Sequence, residues 1–200
     1  MSLDHSPRIT PLSPPYDPDV AAALAKWMPP GSALEPLTLF RTLSHHPQLS
    51  SRMRVVGAGI LGRESALDPR EREVIIDRTC ARCGCEYEWG VHVAAFGEAC
   101  GLAEAQLKNT ASETVEPALW SERERVLIRL VDELHETATL SDATWEQLVA
   151  SWSIAQILEV MIIVGWYHLI SFVANAAHVE QEPWAARFPK MGTLAKARVV

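Results

Sequence analysis

The feature that most constrains the fold is an apolar stretch near the C-terminal end, residues 153–177. It opens with Ser153 and Gln156, the spacing of a capping box, in which the two side chains satisfy free amides at a helix start. The helix that follows is apolar nearly all round, so neighbouring helices or a second subunit must cover it on several sides. Its uninterrupted apolar run, Val160 to Tyr167, has eight residues, whereas a membrane span needs ~20. The stretch therefore predicts a buried helix and a homo-oligomer.

Helix-start signals recur along the rest of the chain. Proline follows Asp17, Glu35, His46 and Asp68, at the position where a first helical turn accepts it. No sustained alternation of apolar and polar residues indicates a strand. We therefore predict an all-α fold, a single-domain antiparallel helical bundle over residues 18–186, with an extended arm (1–17) and a C-terminal tail (187–200). The predicted helices cover residues 18–28, 36–45, 47–61, 69–81, 85–99, 103–109, 121–137, 141–151 and 153–177.

Composition excludes some classes of partner and compartment. A net charge of −7, with no cluster of lysine or arginine, argues against binding to a phosphate backbone, so we expect no nucleic-acid partner. The N-terminal residues are proline-rich and lack the apolar core of a signal peptide. Three of the four cysteines crowd into residues 80–85, a poor disulfide framework for a chain large enough to form its own core. We expect a reduced, cytoplasmic protein that does not associate with membranes.

The chemically richest segment is residues 70–92. Cys85, Glu88 and His92 are spaced i, i+3, i+7, so a helix starting after Gly84 would present all three on one face. Glu73 lies on the preceding helix. A thiol beside a carboxylate and an imidazole is what nucleophilic or acid/base chemistry requires. We predict that Glu73, Cys85, Glu88 and His92 are the catalytic residues.

Each of these residues has a predicted role and a structural alternative. The helix N-terminus should favour the Cys85 thiolate and make it the most reactive thiol, although a free cysteine is also a common buried hydrophobe. His92 would transfer protons and Glu73 would orient its ring, whereas the alternative is a histidine bonded within the core. Partial desolvation beside Trp89 would raise the pKa of Glu88 and suit it to donating a proton, unless it lies on the surface.

This segment resembles the carboxymuconolactone decarboxylase family, which includes the alkylhydroperoxidase D-like thiol peroxidases. The peroxidase pattern is a glutamate, eleven residues, Cys-x-x-Cys, three residues and a histidine, and Glu73, Cys85, Glu88 and His92 occupy its four positions. Glu88 replaces the second cysteine, with which the family's peroxidases close a disulfide. The resemblance continues through residues 130–148 and 165–176. It implies a helical oligomer with sites close to subunit contacts.

Three function classes remain open. The first is cofactor-free acid/base chemistry of the decarboxylase or isomerase type on a small carboxylated or lactone substrate, using Glu73, Glu88 and His92. The second is thiol-dependent alkylhydroperoxidase activity, a peroxiredoxin-type reaction in which Cys85 attacks a hydroperoxide and another cysteine resolves the sulfenic acid. The third is a non-catalytic helical oligomer, which would bury Cys85 with no adjoining cavity. We expect no cofactor and no metal ion.

Several other residues are weaker candidates for a functional role. Cys83 or Cys80 could supply the resolving thiol that position 88 lacks. A zinc site made of Cys80, Cys83, Cys85 and His92 is disfavoured, because its ligands would span a helix break. Arg78 and Arg82 are close enough in sequence to be considered as a clamp for a substrate carboxylate. His168 and Asn175 are candidates for lining the pocket.

Overall fold

The computed structural model describes residues 6–29, 31–32 and 34–189. Over these residues the fold is all-α, as predicted, and contains no strand. A short 3-10 turn, Pro117–Leu119, precedes the seventh helix. The helices are α1 (Pro18–Ala25), α2 (Thr38–Leu43), α3 (Pro47–Ile60), α4 (Pro69–Arg82), α5 (Glu86–Phe96), α6 (Glu104–Thr110), α7 (Glu122–Thr137), α8 (Asp142–Ser151) and α9 (Ile154–Ala177).

Most helix boundaries follow the local signals. The capping boxes that begin at Ser121 and Ser153 both form, and Asp68 accepts a hydrogen bond from the Arg70 amide at 2.8 Å. Three predicted helices were too long. Helix α1 ends at Ala25 rather than residue 28, and α2 spans Thr38–Leu43 rather than residues 36–45. Helix α5 ends at Phe96 rather than residue 99, because the chain after it closes a turn instead of continuing the helix.

The core surrounds α4, which packs against α5, α7 and α9. Its sequence is polar, yet nine of its residues are buried. Arg78 is satisfied inside the fold by Asp132, to which it donates at 2.8 and 2.9 Å, and by the Thr110 carbonyl at 2.9 Å. Arg82 pairs with Glu136 at 2.7 Å. Both guanidinium groups pair with carboxylates of α7, which argues against this pair as a clamp for a substrate carboxylate.

Helix α9 is buried on one side only. It packs against α4 and α5. By length and composition alone it could cross a membrane, but the core helix of a soluble protein passes the same test. The side that faces away from the core is apolar and exposed within the single chain. This exposed stripe consists of Leu158, Ile162, Leu169 and Phe172.

Both ends of the described chain pack on the helices. The amide of Arg8 donates to the Ala177 carbonyl at 2.9 Å, so the N-terminal arm lies along the end of α9. After α9, residues 178–189 form a strap across α5, in which the Ala186 amide donates to the Gly90 carbonyl at 3.0 Å. A Cβ at residue 90 would overlap the carbonyl oxygen of Ala186, so this crossing requires glycine. Residues 1–5 and 190–200 of the predicted arm and tail lie outside the described residues, and the predicted domain bounds stay predictions.

Candidate active site

The turn between α4 and α5 brings the sequence motif together. Gly84 has φ +61°, a left-handed conformation that reverses the chain between the two helices. As a result, Glu73 on α4 faces His92 on α5, and their Oε2 and Nδ1 atoms lie 2.7 Å apart. Both side chains are buried, with 1% and 4% of their surface exposed. The structure thus joins two of the four predicted catalytic residues by a direct hydrogen bond.

The second nitrogen of the His92 ring faces α9 and its own helix. Nε2 lies 3.0 Å from the Tyr167 hydroxyl oxygen and 3.7 Å from Oε1 of Glu88. The Tyr167 ring meets the imidazole edge-on, with centroids 5.1 Å apart, and Phe96 packs beside it at 5.2 Å. The imidazole is therefore fixed at both nitrogens, with Glu73 on one side and two further proton-carrying groups on the other.

The charges around His92 favour its protonated form. Burial alone would lower its pKa, but the charge and hydrogen bond of Glu73, with contributions from Glu88 and Asp77, raise the pKa to about 9. His92 is therefore an imidazolium at neutral pH. Burial also raises the pKa of Glu88, which is the direction predicted from the sequence, while the positive charge of His92 opposes that rise.

Sequence reasoning missed two members of the site, Asp77 and Tyr167. Asp77 lies one turn after Glu73 on α4, is 1% exposed, and neither of its carboxyl oxygens has a hydrogen-bond partner among the described residues. Burial, reinforced by the Glu73 charge, raises its pKa well above the usual value. The i, i+4 spacing of the two carboxyl groups was a usable signal. Tyr167 gave none, because a tyrosine in an apolar helix reads as core.

Cys85 adjoins this site but is not poised as a thiolate. It is the N-cap residue of α5 and is fully buried. Burial raises the pKa of its thiol to about 11, a rise that the Glu88 amide opposes. This direction is opposite to the one expected from the helix terminus, and the reactivity of Cys85 relative to the other thiols stays a prediction. Partly exposed Cys83 and Cys100 are more accessible to reagents.

The remaining candidates lie elsewhere. His168 faces His135 at 2.9 Å rather than His92, and Asn175 donates to the Cys83 carbonyl at 2.9 Å. The zinc set of Cys80, Cys83, Cys85 and His92 does not assemble in the part of the chain described. Two surface cavities, one beside Trp27 and one beside Trp145, are lined by none of the motif residues. Within a single chain the motif is enclosed by packed side chains.

A protein-family model matches the middle of the chain. Residues 47–133, which contain the whole motif, match the model of the carboxymuconolactone decarboxylase family, so the resemblance seen in the sequence is confirmed. A search of curated protein sequences found no match. The specific activity is left open by these findings, because proteins of this family and fold include enzymes of more than one class.

Solved structures share the fold at low sequence identity. A protein of unknown function from Agrobacterium tumefaciens, suggested to be the antioxidant defence protein AhpD, has a TM-score of 0.63 at 20% identity, covering 70% of this chain and 94% of that one. An uncharacterised peroxidase-related protein from Silicibacter sp. TM1040 has a TM-score of 0.73 at 17% identity, with 90% and 96% covered. The debrominase Bmp8 has a TM-score of 0.69 at 14% identity, with 88% and 92% covered.

Proposed function

Because residues 47–133 match the model of the carboxymuconolactone decarboxylase family, we propose that the chain catalyses cofactor-free acid/base chemistry on a small carboxylated or lactone substrate. The reaction class is decarboxylation or isomerisation, and the proposed catalytic residues are Glu73, Glu88 and His92. The observation that carries this proposal is the buried Glu73–His92 pair, whose second ring nitrogen faces Tyr167 and Glu88.

The proposed acid is the His92 imidazolium. Glu73 accepts the Nδ1 proton, which fixes the ring orientation and leaves the Nε2 proton directed toward the Tyr167 oxygen. Tyr167 keeps its own proton, because burial raises its pKa well above the usual value. Tyr167 can therefore give its hydroxyl proton to a substrate oxygen and take a replacement proton from His92 Nε2. Such positioned proton transfer contributes about 10²–10⁴-fold to a rate.

A decarboxylation can be balanced with these groups. The bond from the substrate carbon to its carboxylate breaks and carbon dioxide leaves, while the electron pair moves onto a neighbouring carbonyl oxygen. That oxygen takes the proton relayed from His92. Glu88, whose pKa is raised by burial, then protonates the carbon as the enol collapses to the ketone. The enol proton returns through Tyr167 to His92, and solvent reprotonates Glu88. Neither carboxyl oxygen of Asp77 has a hydrogen-bond partner among the described residues, so this group is available to a substrate that reaches the Glu73–His92 pair.

The state of Cys85 weighs against the peroxidase alternative. Attack on a hydroperoxide requires a thiolate, whereas burial raises the pKa of this thiol to about 11. Position 88 holds a glutamate in place of a resolving cysteine. One observation nevertheless favours a thiol mechanism as the second candidate: Cys80 and Cys83 both lie near enough to Cys85 to interact electrostatically with it. Either could resolve a sulfenic acid at Cys85.

The test of the proposal measures proton transfer directly. The purified protein is incubated in deuterated buffer with a panel of small β-keto acids and carboxylated lactones, including γ-carboxymuconolactone, and NMR follows deuterium incorporation and loss of the carboxyl group. We expect turnover in the wild type and a loss of at least about 100-fold in His92→Gln. The matched control is His45→Gln, since His45 is exposed and bonds only the Thr10 carbonyl at 2.8 Å.

A parallel assay measures hydroperoxide reduction with a dithiol donor. We expect weak activity in the wild type and a gain in Glu88→Cys, which creates a Cys-x-x-Cys and removes the proposed acid. Vigorous peroxidase activity in the wild type that disappears in Cys85→Ser would contradict the acid/base proposal and support the thiol mechanism. Inactivity of the wild type in both assays would favour the non-catalytic class.

We also propose that copies of this chain associate through the exposed stripe on α9. Its four large apolar side chains are each 41–65% exposed in the single chain, and contact with a second copy would remove them from water. The proposed setting is the cytoplasm, where the four free cysteines stay reduced. The proposed ligands are the small substrate or, for the alternative function, a hydroperoxide, with neither nucleic acid nor membrane as a partner.

A further inference from the structure

We propose that Cys83, His135 and His168 form a binding site for a transition-metal ion, with Zn²⁺ as the ion they suit best. Cys83 caps the C-terminus of α4, His135 lies in the last turn of α7, and His168 lies within α9. None of the three belongs to the acid/base site. Sequence analysis does not bring these three residues together, because they are far apart along the chain.

The three possible ligand atoms converge on one point. Nδ1 of His135 lies 2.9 Å from Nε2 of His168 and 4.0 Å from the Cys83 sulfur, and all three atoms lie within 4.8 Å of one another. Tetrahedral zinc with bonds of about 2.0–2.3 Å separates neighbouring nitrogen and sulfur ligands by about 3.3–3.7 Å. Movements of up to about 1 Å would therefore bring the three atoms to ligand distance.

The hydrogen bonds of His168 prepare it to bind a metal. Its Nδ1 lies 2.8 Å from the Val164 carbonyl oxygen, which can only accept, so Nδ1 carries the proton. Nε2 is then the acceptor in its 2.9 Å contact with His135 Nδ1, and its lone pair is available to an ion that replaces the His135 proton. Metal-binding histidines are typically oriented in this way, by donating their second ring N–H to a carbonyl or carboxylate. Asn175 adds support by holding the Cys83 carbonyl at 2.9 Å.

The surroundings suit a bound ion with one open position. The cluster joins α4, α7 and α9, the helices that contribute most of the core contacts, so its backbone positions are well fixed. All three side chains are half-buried, which leaves room for water or another ligand on the solvent side. One sulfur and two imidazole nitrogens favour zinc or copper over magnesium or calcium, which prefer oxygen ligands.

Occupation of this site would have a direct consequence for thiol chemistry. A zinc-bound Cys83 sulfur is committed to the ion and cannot resolve a sulfenic acid at Cys85. Metal binding and the use of Cys83 in a peroxidase cycle therefore exclude each other, whereas the proposed acid/base chemistry does not involve Cys83. The metal site stands on its own geometry and does not depend on the proposed function.

The test uses the full-length protein after removal of metals with a chelator. Zn²⁺ is titrated by calorimetry, and Co²⁺ serves as a spectroscopic probe because a sulfur ligand produces an intense near-ultraviolet charge-transfer band. We expect one ion per chain and a charge-transfer band that Cys83→Ser abolishes. His135→Gln and His168→Gln should each weaken Zn²⁺ binding by at least about 100-fold, since each removes one of three protein ligands.

Two control variants separate this site from general thiol or imidazole binding. Cys100→Ser and His45→Gln should keep the affinity and the stoichiometry of the wild type. X-ray absorption of the zinc-loaded wild type supplies a measurement that does not require any variant to fold, and it should show one sulfur and two imidazole nitrogens around the ion. Absence of stoichiometric binding would overturn the proposal and leave an ordinary hydrogen bond between His135 and His168. Binding that survives all three ligand substitutions would overturn it as well.

Discussion

The Glu73–His92 pair makes a quantitative prediction for the variant Glu73→Gln. Burial disfavours the charged imidazole, and the charge and hydrogen bond of Glu73 are the main reason that the pKa of His92 is raised to about 9 from 6.5. Replacing this carboxylate by a neutral amide leaves burial as the largest effect. We therefore expect the pKa of His92 in Glu73→Gln to fall to 6.5 or lower, so that its ring is neutral at pH 7.5.

The same pair sets the pH dependence of folding. A histidine whose pKa is raised on folding contributes stability that is fully present below its unfolded pKa and is lost as the pH rises through its folded pKa. The difference between about 9 and 6.5 corresponds to about 3 kcal/mol at 1.36 kcal/mol per pKa unit. The free energy of unfolding of the wild type should thus fall by about 3 kcal/mol between pH 6.5 and 9, whereas that of Glu73→Gln should lack this His92 contribution.

Two measurements check this reasoning. Histidine NMR titrations give the pKa of His92 itself, with its signal assigned by loss in His92→Gln, and urea unfolding at a series of pH values gives the stability. Glu71→Gln is the matched control, because Glu71 lies on the same helix but pairs with Arg123 at 2.8 Å and not with His92. It should keep the wild-type slope. A His92 pKa near 6.5 in the wild type, or an unchanged slope in Glu73→Gln, would refute the argument.

Three further predictions concern stability and assembly. Gly90→Ala should lower the free energy of unfolding by about 1–3 kcal/mol, because the new methyl group displaces the strap at Ala186. The control Gly59→Ala, whose methyl group meets nothing within 4 Å, should raise it by about 0.5–1 kcal/mol. Urea unfolding measures both, and equal effects would contradict the close contact between residue 90 and the strap. The wild type should lose stability as the pH rises above 3.8, because folded Asp77 keeps its carboxyl proton to higher pH than the unfolded chain does. Asp77→Asn should not show this loss. Stability curves of the two proteins that stay parallel from pH 4 to 7 would contradict this prediction. Phe172→Glu should shift the protein to monomers in light scattering, and an unchanged mass would argue against the α9 contact.

The helices were predictable because their signals are local. The capping boxes at Ser121 and Ser153 depend on residues three positions apart, so the sequence alone predicts where α7 and α9 begin. Helix α2 shows the limit of this reasoning. Its first amide is bound by Glu182, 144 residues further along the chain, and a bond of that kind leaves no trace near Pro36.

The sequence predicts the part of the site that lies on one face of a single helix. The spacing of Cys85, Glu88 and His92 indicates a shared face, but it cannot show how deeply that face is buried. Burial raises the pKa of the Cys85 thiol, the opposite direction to the one expected from the helix terminus. Tyr167 comes from a helix far along the chain, so only the packing of α9 reveals its contact with His92.

The bond between Glu182 and the start of α2 also determines when that helix can form. Leu37, the N-cap residue of α2, provides no side-chain cap, and the helix has only six residues, too few to persist alone in water. During synthesis the Thr38 amide must wait for Glu182, 144 residues later, a delay of about 7–30 s at 5–20 residues per second. The start of α2 thus gains its hydrogen-bond partner only after the strap has been synthesised.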